Sequence, residues 1–256
     1  TVVAVRERDA PPVPEDQHLI QLSIRSVAPE AGEHDARPGE CRQRNHIAAL
    51  IYSGPVGYLY LEIRNRPDQE IRKIRKFIRQ KGASARFEKE FLGSVQWFLE
   101  KGEKALEMLV KSDYEKLRDK AGEEGLLCHG EYNQHNVLLC KNQAAVTNFG
   151  HFSFDVQISD LYCFMRKILE KYNWDVFLAR RMLEQYDKIR PISSEEWENL
   201  QIRFTYPEKY WKLANYYFSH NKAWISGKNT EKLEKVIAQK KIWGDFPENC
   251  FGKSPF

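Results

Sequence analysis

The first 72 residues contain no lysine; every positive charge there is an arginine. That absence removes the compact strand ammonium that a nucleotide-phosphate clamp uses, for which a planar guanidinium is a poor replacement. The same segment has no glycine-rich phosphate loop, since its nearest pattern, Gly54-Pro55-Val56-Gly57, lacks the spacing needed to wrap phosphates. No run of about 18 apolar residues occurs anywhere, so no transmembrane segment is expected. The opening stretch TVVAVRERDAPPVPEDQ has no basic start followed by an apolar core, so no secretory signal is visible. The cysteines (Cys41, Cys128, Cys140, Cys163 and Cys250) are odd in number, widely spaced and without a CxxC pair, which reads as reduced thiols rather than a disulfide framework. There is no GxSxG, and Cys128 beside His129 has no spaced orienting partner, so a serine or cysteine hydrolase has little support.

What is present is a globular composition. Across 256 residues, 42% are apolar, 12% aromatic and 30% charged, with a formal net charge of +4. That is enough chain to bury a real core and too little charge to demand nucleic acid. The composition divides near residue 65. The front segment holds six of the eleven prolines by residue 55, with short apolar runs at 18–27 and 46–63. From Lys73 onward the chain is rich in Lys, Tyr, Trp and Asn. The expected organisation is therefore a poorly defined segment over 1–64 and a mostly helical body over 65–250.

In that body the spacing of Ile71, Ile74, Phe77 and Ile78 predicts a helix starting after Pro67 and ending at Gly82. Phe87, Phe91, Val95, Phe98, Leu106 and Leu109 predict a long helix over about 84–111. Asp113 is expected to cap a short helix, DYEKLRDKAG. Three extended pieces follow, GLLCHG, NVLLC and AAVTNF. Helices are then expected over about 157–172, 174–188, 205–222 and 229–242, with a further start at Ser193, which stands three positions before Glu196 as in a capping box. Arg72, Lys73, Arg75, Lys76, Arg79 and Lys81 form a basic helix face, read as a solvated surface rather than a nucleic-acid site. Tyr206, Tyr210, Trp211, Tyr216, Tyr217, Phe218 and Trp224 recur at helical spacing, which favours core packing over a ligand cage.

Polar residues of chemical interest gather between the extended pieces. The first group is His129-Gly130-Glu131-Tyr132-Asn133-Gln134-His135-Asn136, and the second is Thr147-Asn148-Phe149-Gly150. Phosphoryl transfer requires a carboxylate near the incoming hydroxyl, an Asn five residues later for a metal, and an Asp after the next strand for the phosphate-bridging Mg²⁺. The slots are filled here by His129 and Glu131 as catalytic candidates, and by Asn136 and Asn148 as cofactor and Mg²⁺ candidates. Two identities depart from that pattern. Glu131 stands for the usual Asp and is one methylene longer; a displacement of about an ångström costs on the order of 100-fold. Asn148 stands for the metal Asp and brings no negative charge. A zinc site from Cys128, His129, His135, Cys140 and His151 lacks the usual paired spacings.

The stretches CHGEYNQHNVLL, AVTNFGHFSFDVQISDLYCFMRKILEKYNWD and YPEKYWKLANYYFSHNKAWISGKNTEKLEK, with EIRKIRKFIRQKG upstream, resemble CotS-type spore coat proteins of clostridial bacteria over roughly 65–248. The resemblance implies an α+β, protein-kinase-like fold of the aminoglycoside phosphotransferase type, with a helical C-terminal lobe. The front segment would then be a truncated or degenerate N-terminal lobe, or a frame-shifted one. It also implies that a TNF triplet is a family trait, and that Asp160 braces the catalytic loop, a role compatible with a helix N-cap. The implied function is a spore coat scaffold, catalytically impaired as a kinase. It would be made in the mother-cell cytoplasm and partnered by other coat proteins, with no nucleic acid. The competing reading is an ATP-dependent small-molecule phosphotransferase, for which ATP and Mg²⁺ would be the cofactors.

Overall fold

The computed structural model describes residues 67–140, 143–219 and 227–252. The front segment and the lobe expected there lie outside the described residues, as does Trp224. The described chain falls into two compact units: residues 113–200, and residues 67–112 with 201–252.

The second of these units is helical. Helix α1 (Pro67–Lys81) opens on a proline, whose missing N–H costs nothing at a first turn. It closes at Gly82, whose φ of +85° suits a left-handed cap, and whose N–H reaches the Ile78 carbonyl at 2.9 Å. Ile71 and Ile78 are fully buried. Phe77 departs from the expected apolar face: its ring is 59% exposed, with the Lys81 ammonium 5.8 Å from its centroid. Helix α2 (Arg86–Lys111) buries Phe87, Phe91, Val95, Phe98 and Leu109 along one stripe. Its amino end is capped by Glu88, a fully buried carboxylate. Glu88 accepts the backbone N–H groups of Ser84 at 3.0 Å and Ala85 at 3.3 Å.

Helices α7 (Glu208–Ser219), α8 (Lys228–Ala238) and α9 (Lys240–Phe251) complete this unit. Most of the expected aromatic stripe packs: Tyr206, Tyr210, Trp211 and Tyr217 are buried, whereas Tyr216 is exposed. Tyr210 stacks on Phe98 with centroids 3.8 Å apart, and Tyr217 stacks on Phe87 at 3.9 Å. The Tyr210 hydroxyl finds Ser94 at 3.1 Å, so the ring is buried without orphaning its polar end. Burial drives its phenol well above the ordinary tyrosine range, so it stays a neutral hydrogen-bonding group.

The unit from 113 to 200 mixes short strands with helices. Helix α3 spans Tyr114–Glu123, α4 Ile158–Leu169, α5 Val176–Asp187, and α6 (Ser194–Thr205) begins here and continues into the other unit. Strands β1 (Leu127–Cys128) and β4 (Ser153–Phe154) pair antiparallel, with Cys128 opposite Ser153. Strands β2 (Val137–Cys140) and β3 (Gln143–Val146) form a second antiparallel pair, with Val137 opposite Val146. Leu161, Met165, Leu169, Ala179, Met182, Leu183 and Tyr186 are buried along α4 and α5 and form the apolar centre.

Asp113 does not cap α3 as expected. Its backbone sits at φ −82°, ψ 24°, outside the extended region a capping residue adopts, and its carboxylate takes the Lys116 ammonium at 2.6 Å instead. The capping box at Ser193 forms as expected. The Ser193 hydroxyl accepts the Glu196 N–H at 3.2 Å, and the Glu196 carboxylate accepts the Ser193 N–H at 3.2 Å. No described helix is long and apolar enough to cross a membrane.

Candidate functional site

Residues 129–136 link β1 to β2, and residues 147–152 link β3 to β4. Because β1 pairs with β4 and β2 with β3, the topology brings these two connections together. The Thr147 N–H then donates to the Asn136 carbonyl at 2.9 Å, which joins them directly.

The loop from His129 is held from below by Asp160, in the first turn of α4. Its carboxylate accepts the His129 N–H at 2.6 Å and the Gly130 N–H at 3.0 Å. Gly130 has φ +82°, a conformation that favours glycine and lets the chain turn over the carboxylate. Asp160 is buried, and burial raises its carboxyl above the ordinary aspartate range. The two backbone N–H groups pull the other way. The expected bracing contact is therefore present. The N-cap alternative is not: Gln157 holds the cap position and Asp160 lies inside the first turn.

His129 is buried and both its ring nitrogens are engaged. Nδ1 accepts the Glu131 N–H at 3.1 Å, which places the ring proton on Nε2, and Nε2–H donates to the Thr147 carbonyl at 2.8 Å. The ring thus ties the loop to the turn. The Glu131 carbonyl is fixed in turn by the side-chain amides of Asn133 at 2.8 Å and Asn136 at 2.9 Å. Asn133 also accepts the His135 N–H at 2.9 Å, closing a small polar turn.

The Glu131 side chain reaches across the gap. Its Oε2 accepts a hydrogen bond from the Asn148 amide nitrogen at 3.4 Å, and its Oε1 lies 3.6 Å from His151 Nε2. Asn148 has φ +67°, ψ 53°, a left-handed conformation that Asn tolerates better than most residues. It opens the short 3₁₀ turn Phe149–His151. The structure therefore places His129, Glu131, Asn136, Asn148 and Asp160 in one cluster within one unit. His151 belongs to the same cluster; the sequence singled it out only as one of five zinc candidates. Its place follows from the one-turn helix after Asn148, which the spacing alone does not reveal. The Cys128 thiol is occupied elsewhere, donating to the Asp155 carbonyl at 3.2 Å. Among the described residues no three of His, Cys, Asp and Glu gather as metal ligands.

Known proteins match this chain in sequence and in fold. The family described as "Spore coat putative kinase YutH" matches residues 64–246, well over half of the chain. The chain belongs to that family. Spore coat protein S of Bacillus subtilis (strain 168) is 23% identical over 154 residues, which cover 59% of this chain and 44% of that protein. An aminoglycoside phosphotransferase from Alicyclobacillus acidocaldarius superposes with a TM-score of 0.71 at 15% identity, covering 90% of this chain and 64% of that one. The fold is thus of the aminoglycoside phosphotransferase, kinase-like type. The chain spans less than half the length of the curated relative and under two thirds of the solved structure.

That fold implies Mg²⁺, and the residues present offer it a single carboxylate, Glu131, beside the Asn136 and Asn148 amides. Mg²⁺ sites rest on one or two carboxylates plus substrate phosphates, with near-ideal octahedral oxygen ligation. Here Asn148 directs its amide N–H at Glu131, a donor where a cation would need an acceptor. One carboxylate, two neutral amides and an imidazole remain.

Proposed function

We propose that this protein is a structural component of the spore coat, built on a phosphotransferase-type lobe whose Mg²⁺-dependent nucleotide chemistry is impaired. The observation that carries the reading is the Asn148–Glu131 hydrogen bond. In phosphoryl transfer these positions take a carboxylate beside the incoming hydroxyl and a carboxylate that holds Mg²⁺. Here an amide stands in the second position and bonds to the remaining carboxylate. Family membership supports a place in the spore coat; synthesis in the mother-cell cytoplasm and assembly with other coat proteins complete the proposal.

In this reading the bracing device around Asp160 and His129 is retained for shape. The buried carboxylate and the doubly bonded imidazole keep the loop rigid whether or not a nucleotide binds. Glu131, Asn136 and Asn148 are the groups a surviving phosphotransferase would use, with Glu131 as the base. The test is ATP consumption with Mg²⁺ and a panel of hydroxyl acceptors, comparing the parent chain with Glu131→Ala. Equal background rates are expected. Turnover that disappears in Glu131→Ala would replace the scaffold reading with a small-molecule kinase.

A further inference from the structure

We infer that the basic face of α1 is a docking surface for an acidic, extended segment of a partner protein, held by Arg72, Arg75, Lys76 and Arg79. These four side chains, with Gln80, line a groove of about 310 Å³. Ile71 and Ile78 bury the other side of the helix, which fixes the cations toward solvent. Their charge is only partly cancelled. Arg72 pairs with Glu103 of α2. Arg75 donates to Gln96 at 2.5 Å, a neutral group that leaves the guanidinium charge in place. Glu100, the next carboxylate on α2, accepts the Gln96 amide at 2.9 Å. Among the described residues no carboxylate pairs with Lys76 or Arg79.

The spacing of the cations favours an extended partner. Arg72 and Lys76 stand four residues apart, as do Arg75 and Arg79. That places the members of each pair about 6 Å apart along the helix. Alternate residues of an extended chain point the same way at intervals of about 6.6 Å. A segment with an acidic residue at every second position therefore sets one carboxylate against each cation of a row. The planar forks of the three arginines suit carboxylates in bidentate contact. A lipid surface fits less well, since a flat bilayer does not enter a groove. Phe77, the exposed aromatic that a membrane contact would insert, is not among the lining residues. A net charge of +4 is small for a nucleic-acid binder. The inference stands apart from the nucleotide question, because α1 carries none of Glu131, Asn136 and Asn148.

The experiment titrates the full chain into a fluorescein-labelled oligoglutamate peptide of about ten residues, long enough to run past both ends of the stripe, and follows anisotropy at low salt. Saturable binding is expected, with none to an oligoglutamine peptide. Combining Lys76→Gln with Arg79→Gln should weaken it on the order of tenfold. Combining Lys111→Gln with Lys116→Gln removes the same charge from exposed lysines elsewhere and should leave it unchanged, as should Phe77→Ala. Circular dichroism of each variant separates lost binding from lost folding. Vesicles of phosphatidylglycerol and phosphatidylcholine, and a short DNA duplex, are titrated at the same salt. No saturable binding of oligoglutamate, equal weakening in the two double variants, or tighter binding to the vesicles or the duplex than to the peptide would overturn the inference.

Discussion

Replacing Asp160 with alanine removes the acceptor of two buried backbone N–H groups, those of His129 and Gly130, at 2.6 and 3.0 Å. Without that carboxylate each donor loses the acceptor it has in the folded loop. An orphaned buried donor costs about 1–3 kcal/mol, which gives about 2–6 kcal/mol for the pair. At about 2–4 °C per kcal/mol for a chain of this size, the melting point should fall on the order of 10 °C. Asp160→Asn keeps one acceptor but turns an NH₂ toward the other N–H, so it should fall between alanine and the parent. Urea unfolding gives the free energies, and amide exchange at His129 and Gly130 shows whether the loop itself has loosened. Burial raises the Asp160 carboxyl, so the folded chain holds that proton to higher pH than the unfolded chain. The group therefore adds stability below the ordinary aspartate value of about 3.9, and that increment is lost as pH rises through the folded value. Asp160→Ala should lack this dependence. A variant within about 0.5 kcal/mol of the parent, with unchanged exchange at both amides, would refute the bracing role.

Phe98→Ala empties a site stacked on Tyr210 and only 2% exposed, and should cost about 3–5 kcal/mol by urea unfolding. Glu196→Gln weakens the buried end of a pair that binds Arg190 at 3.1 and 2.5 Å and the Ser193 N–H at 3.2 Å. A loss of about 1.5–3 kcal/mol is expected in thermal melts. Glu248 is lowered by its hydrogen bond from Lys104, so its contribution is present above the ordinary glutamate value of about 4.3 and fades as pH falls through the folded value. Because that pair is solvent-exposed, Glu248→Gln should change stability at pH 7 by less than about 1 kcal/mol, as read by chemical denaturation.

Most helices were legible because their signals are local and repeated; α9 (Lys240–Phe251) was not, since the expected last helix ended at 242 and Pro247 lies inside α9. Pro67 and Gly82 bracket α1 in the sequence as in the structure, and the apolar stripe of α2 is long enough to average out exceptions. Phe77 is such an exception: a single ring on the flank of the stripe, whose exposure depends on what packs nearby. Strand β4 escaped notice because two residues show no alternation. Asp113 misled because a capping residue type was present without the backbone conformation that capping needs. At the candidate site residue types and spacing singled out Glu131, Asn136 and Asn148, and the family resemblance added Asp160; the structure brings these residues together. The engagement of both His129 nitrogens and the approach of His151 to Glu131 depend on strand pairing and a one-turn helix. Those are tertiary facts with no periodic signature.

The most direct test of the account is calorimetric titration of the full chain with ATP and excess Mg²⁺, repeated on Asn148→Ala and Glu131→Ala. With the Glu131 carboxylate engaged by an amide rather than poised for Mg²⁺, the account predicts no saturable heat in any of the three. A saturable, Mg²⁺-dependent event in the parent that is lost in both variants would contradict it.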